Sequence, residues 1–116
     1  MPDKFGDKIR LQHAMDAIDK IQRYSKSIKK NDFLSDDMIQ DACIRQLQVI
    51  GESINRVHSR TQKANPHIPW AKIIGLRNVV VHEYFGINGK IIWGIIKKDL
   101  PLIKTQFKEL MSQLPD

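Results

Sequence analysis

An arginine, a histidine and a tyrosine fall within eight residues of one another in the stretch Arg77-Asn78-Val79-Val80-Val81-His82-Glu83-Tyr84. A guanidinium is permanently charged, and its planar fork matches the oxygens of a phosphate. An imidazole titrates near neutral pH and can take up or release a proton during a reaction. The pair suits transfer chemistry at a phosphodiester, with the histidine moving the proton, the arginine answering the charge, and no metal evidently required. On an ideal α-helix Arg77 and Tyr84 lie within about 20° of one stripe, and Asn78 and His82 share the next. Val79 and Val80 then point elsewhere, toward a core. Spacing alone also fits an arginine and a histidine that merely pack or face solvent. The run Val-Val-Val-His-Glu-Tyr-Phe, β-branched and aromatic, would equally suit a short strand. Two neighbours favour the helix: Pro69 as its first residue and Gly86 as a left-handed stop. A helix over about Trp70–Phe85 is therefore expected to carry the motif.

The elements that must position this stretch can be read from hydrophobic spacing. From about Lys4 to Lys29, the residues Leu11, Met15, Ile18, Ile21, Tyr24 and Ile28 recur at three- and four-residue steps, the seam of an amphipathic helix. Lys8, Arg10, Lys20, Arg23, Lys26 and Lys29 dominate its other face, which reads as a solvated surface or a track for an RNA backbone. Lys29-Lys30-Asn31-Asp32 makes the break. Ser35 is the expected N-cap of a second helix, with Asp36 and Asp37 at its positive end and Leu34 and Ile39 stapled across it. That helix runs to about Arg60 along Ile39, Cys43, Leu47, Ile50, Ile54 and Val57. Gly51 inside it costs about 1 kcal/mol relative to alanine, which points to close approach by another helix. Residues 61–68 form the connector, and His58 and His67 beside it are loop histidines without a partner at metal-ligand spacing. Beyond the motif helix, Asn88 caps a fourth segment through Lys90, Ile91, Ile92, Trp93, Ile95 and Ile96. Pro101 should kink or restart the helix near Leu100, and a last helix buries Ile103, Phe107, Leu110 and Leu114 before Pro115.

The result is an all-α antiparallel bundle of four long helical units, the last one broken near Pro101, in a single domain spanning 1–116. Ile91-Ile92-Trp93-Gly94-Ile95-Ile96 is apolar on nearly all sides, so part of it, or the motif helix, is expected to pack against a second copy. A net charge of +6 and a pI near 9.6 favour polyanionic partners. Cys43, the one cysteine, admits no intrachain disulfide and suits a reducing cytoplasm. Its place among Ile39, Leu47 and Ile50 makes it a small buried hydrophobe rather than a nucleophile. The N-terminus has no apolar run of a signal peptide, and Ile91–Ile96 is too short to cross a bilayer. No metal box, glycine-rich phosphate loop, repeat or Ser/His/Asp order is visible, so neither metal nor cofactor is expected.

The segment Pro66-His67-Ile68-Pro69-Trp70, followed by Gly75-Leu76-Arg77-Asn78-Val79-Val80-Val81-His82-Glu83-Tyr84-Phe85, resembles the signature of HepT-like proteins of the HEPN superfamily, which carry an Arg-x4-His-x-Tyr motif. Supporting matches run along the chain at Tyr24, Asp41-Ala42, Arg45-Gln46-Leu47, Ile50-Gly51-Glu52, Trp93 and Leu100-Pro101. The resemblance implies a HEPN-like helical fold and a metal-independent endoribonuclease toxin of a toxin–antitoxin pair, working as a homodimer whose motif helices share one cleft. Arg77 and His82 would then be catalytic, with Asn78 and Tyr84 in the RNA-binding motif. The resemblance also implies a minimal nucleotidyltransferase antitoxin of the MntA type, which would transfer AMP to Tyr84. The alternative is a non-catalytic helical module that binds nucleotide or RNA and partners a nucleotidyltransferase.

Overall fold

Leu11, Ala14, Ile18 and Ile21, at helical spacing, are fully enclosed in α1 (Lys4–Ser25). Cys43, Leu47, Ile50 and Ile54 are equally enclosed in α3 (Asp37–Asn55). These two seams face each other and make the centre of the core. The computed structural model describes residues 4–82 and 89–115, with side chains described over 6–79 and 89–115. Every described element is helical, so the fold is all-α as expected.

The helices α1 and α3 run antiparallel, because Arg10 near the start of α1 donates from Nη1 to the carbonyl of Arg56 just past the end of α3. The break between them holds a short helix of its own, α2 (Lys30–Leu34), which seats Phe33 in the core. Ser35 is not the N-cap of α3. Its hydroxyl donates back to the carbonyls of Asn31 and Asp32, closing α2, and Asp36 accepts from the amide of Ile39 instead. Two residue types that both favour helix starts stand side by side here, and the second helix ending at Leu34 takes the first of them.

The second long unit also stops earlier than its periodicity implies. Helix α3 ends at Asn55, and α4 (Ser59–Ala64) occupies part of the expected connector. His58 is the N-cap of α4, its Nδ1 accepting from the amide of Arg60. The buried Asp7 ties this corner to α1 by accepting from the His58 amide and the Thr61 hydroxyl. His67 is an exposed loop residue.

The fourth unit begins with α6 (Gly89–Gly94), widens into a π-helical turn at Ile95–Asp99, and continues as α7 (Leu100–Gln113) with Pro101 in its first turn. A proline ring collides with the carbonyl four residues back and removes one hydrogen bond. The wider turn before Leu100 accommodates both, so the expected break is a π turn. Lys97 in that turn donates to the Ser25 carbonyl and sits 4.7 Å from the centre of the Trp93 ring, while Trp93 meets Phe33 at 5.1 Å. Lys104 reaches Asp19 at 2.8 Å and Gln22 at 3.0 Å. Partners thus recede along α1 as the fourth unit advances, which makes these two antiparallel as well. Within the apolar run, Ile92 and Ile96 are core, whereas Ile91 is 60% exposed, and Leu102 further on is 61% exposed.

Candidate functional site

The motif stretch enters from α5 (Trp70–Ile74), which Pro69 precedes as its N-cap rather than as its first residue. Ile68 and Trp70 are buried. The Trp70 indole donates from Nε1 to the Asn65 carbonyl at 2.9 Å, and its ring stacks at 27° on Phe107 of α7, 6.4 Å between centroids. The Ile-Pro-Trp sequence is therefore an anchor that fixes where the motif begins.

After Ile74 the helix does not continue as α. Gly75–His82 is a 3-10 helix, eight residues long, where runs beyond three or four are uncommon. As far as His82, the expected α-helix over Trp70–Phe85 is thus replaced by one α turn and a narrower helix. Its cause lies in the sequence and in the packing. Val79, Val80 and Val81 are three consecutive β-branched residues, which lose side-chain freedom in an α-helix. The segment also presses its backbone onto α3 at Gly51. A methyl group on Gly51 would lie 2.9 Å from Arg77 Cβ and from the Ile74 carbonyl oxygen, and closer still to the Arg77 amide nitrogen. Only glycine leaves room for this contact, as the sequence implied.

The narrower helix changes the geometry of the motif. At about 120° per residue, Asn78 and His82 no longer share a stripe. Arg77 and His82 stand about 120° apart around the axis and about 10 Å apart along it, against about 7.5 Å in an α-helix. Leu76 is buried and Val79 half-buried, while Arg77 and Asn78 are exposed. Arg77 carries no ion pair among the described residues, so its charge is available to an anion. The His82 side chain and all of Tyr84, like Gly86 and the Asn88 cap, lie outside the described residues.

Cys43 is enclosed in the core, and burial pushes its thiol up to about 11, with Lys97 pulling slightly the other way. That is the inert, hydrophobe-like cysteine its neighbours implied. Among the described residues no three of histidine, cysteine, aspartate and glutamate gather as a metal site. No described helix is long and apolar enough to cross a membrane.

A bundle whose motif segment exposes Arg77 and Asn78 is the kind of scaffold the signature implied, and comparison with known proteins agrees. Residues 14–110 match the ribonuclease HepT-like family, and the chain belongs to that family and to the HEPN superfamily. It is 33% identical over 107 residues to a Methanocaldococcus jannaschii protein named "Gamma-glutamylcyclotransferase and putative RNase", covering 92% of this chain and 48% of that one. It is 34% identical over 99 residues to another protein of that organism, named "Putative RNase", covering 85% and 91%. To the "Probable ribonuclease HepT" of Thermococcus cleftensis it is 33% identical over 107 residues, covering 92% and 97%. The chain thus spans about half of the first relative and nearly all of the other two. No solved structure matches it.

Proposed function

We propose that this chain is a metal-independent endoribonuclease and the toxin of a toxin–antitoxin pair acting in the cytoplasm. The observation that carries the reading is Arg77, exposed, free of any ion pair among the described residues, and seated by its backbone on Gly51 within a HepT-like motif. In the reaction a ribose 2′-hydroxyl attacks the adjacent phosphorus. The 2′-oxygen–phosphorus bond forms and the phosphorus–5′-oxygen bond breaks. His82 takes the 2′-hydroxyl proton, or returns one to the departing 5′-oxygen, and Arg77 answers the charge building on the non-bridging oxygens. The products are a 2′,3′-cyclic phosphate and a 5′-hydroxyl. Asn78 and Tyr84 help hold the RNA.

Backbone geometry supports a dimeric cleft. A 3-10 helix sets Arg77 and His82 on different sides and about 10 Å apart along the axis, so one copy is poorly placed to bring both to one phosphate. Two copies related by a twofold axis would supply the arginine of one to the histidine of the other. The exposed Ile91 offers apolar surface for the association. A minimal nucleotidyltransferase antitoxin would silence the enzyme by adding AMP to Tyr84. The added phosphate would pair with Arg77 and repel RNA.

The test is cleavage of total tRNA in EDTA by the parent chain beside His82→Ala. Cleavage that disappears in the variant supports the enzyme, whereas binding without cleavage in both would make the chain a binding module. Toxicity on expression, relieved by the adjacent reading frame, tests the pairing.

A further inference from the structure

Arg45, Val49 and Glu52 on α3 and Arg56 at its C-cap recur at steps of four, three and four, and so share one stripe. The first half of α1 lies alongside and sets Ile9, Arg10 and His13 against them, walling an open groove of about 460 Å³. Among the described residues, the fold brings three guanidiniums and an imidazole into this one concavity against a single lining carboxylate, Glu52. Arg10 is held in position there, its Nη1 donating to the Arg56 carbonyl at 2.9 Å and lying 4.0 Å from Asp7. Arg45 and Arg56 are exposed and have no ion pair among the described residues. The negative end of the α3 dipole accounts for a cation at Arg56. It does nothing for Arg45, three turns earlier.

Ile9 stands 55% exposed among these charges, beside the half-buried Val49. Cations that follow a backbone, interleaved with apolar surface that a base face can cover, are what single-stranded nucleic acid uses. An acidic partner protein would meet the same charges, but the position of the groove favours RNA. Gly51, which seats Arg77, lies about 60° around α3 from Gln48 and about 100° from Glu52, and both of those residues line the groove. The groove and the motif therefore occupy adjacent faces of one helix.

We propose that the α1–α3 groove binds the sugar–phosphate backbone of single-stranded RNA flanking the linkage to be cut, with Arg45 and Arg56 as its phosphate contacts. This rests on the reading of the chain as RNA-directed. The experiment measures binding of a labelled single-stranded RNA oligonucleotide to the His82→Ala chain in EDTA, by fluorescence anisotropy over a range of salt. It then repeats the measurement with Arg45→Gln and Arg56→Gln added, and with Arg45→Lys and Arg56→Lys in their place. The glutamine pair is expected to weaken binding on the order of tenfold at low salt and to lower the slope of log affinity against log salt by about 1.4, at about 0.7 per lost phosphate contact. The lysine pair keeps the charge and is expected to keep the slope. Should the glutamine pair melt early, Arg45→Gln alone replaces it, with a slope change of about 0.7. Unchanged affinity and slope would overturn the proposal. So would unchanged RNA binding with altered sedimentation of the protein alone, which would make the groove a contact between copies. Because binding is read in a chain carrying His82→Ala, failure of the parent to cut RNA would remove the ribonuclease reading without touching this one.

Discussion

Arg77 is a charged side chain on a tightly packed backbone, and its worth is expected to show in rate rather than in stability. Exposed and free of an ion pair among the described residues, it can be removed without leaving a buried group unsatisfied. Arg77→Ala is therefore expected to keep the parent's thermal midpoint while slowing RNA cleavage on the order of 10²-fold or more, the usual cost of losing a donor to developing charge. A fall in both together would make Arg77 a structural residue. Cys43 makes the opposite case. Its folded thiol titrates near 11 and its unfolded thiol near 9, so the folded state holds the proton more tightly between those values. Stability should be fully present below about pH 9 and fall as the pH rises towards 11. Urea midpoints across that range check the sign, and in native protein at neutral pH a thiol reagent should find Cys43 unreactive. At this scale the sequence was legible in residue types: Arg77, the buried thiol and the glycine that admits the motif all follow from neighbours a few positions away. What it could not show was Arg10, Arg45 and Arg56 meeting in one groove, because that depends on how α1 lies against α3.

At the scale of elements, hydrophobic spacing located the four long units, but local competition moved their ends. Ser35 and Asp36 are both good caps, and only the existence of α2, too short to show a period, decides which caps α3. Asn55 ends α3 before the apolar seam does, because Val57 is still buried in the turn that follows. The motif segment departs furthest from its expected form. Three valines in a row and contact with α3 at Gly51 produce a 3-10 helix, and neither a stripe count nor a strand propensity anticipates that. Gly51 is accordingly expected to tolerate no side chain. Gly51→Ala forces the Arg77 backbone away and is expected to destabilise by about 1–3 kcal/mol, as overpacking does. It should also lose RNA cleavage at temperatures where the variant is still folded. Calorimetry and a cleavage assay on the same sample check both, and a variant as active and stable as the parent would show that the contact with Arg77 is not needed.

For the whole molecule, the bundle measures 45 × 26 × 21 Å, its length in keeping with the 22 residues of α1, about 33 Å of helix. Its charge of +6 favours RNA, and membership of the ribonuclease HepT-like family makes RNA cleavage the chemistry to test. In the proposed reaction, pairing of two copies would let Arg77 and His82 act at one phosphate. Two residues of the run Ile91–Ile96, Ile92 and Ile96, are core, and Ile91 remains outside with Leu102. Placing aspartate at both positions is expected to shift sedimentation from dimer toward monomer and to lower cleavage in proportion. A monomeric variant with full activity would end the composite cleft.

His82 and Arg77 are proposed to cut RNA without a metal ion. This is tested most directly by identifying the ends left on RNA by purified protein in excess EDTA, for the parent chain, His82→Ala and Arg77→Ala. The parent is expected to leave 2′,3′-cyclic phosphate and 5′-hydroxyl ends, and either variant none above background. Cleavage that needs an added divalent ion, or that survives in His82→Ala, would contradict the proposal.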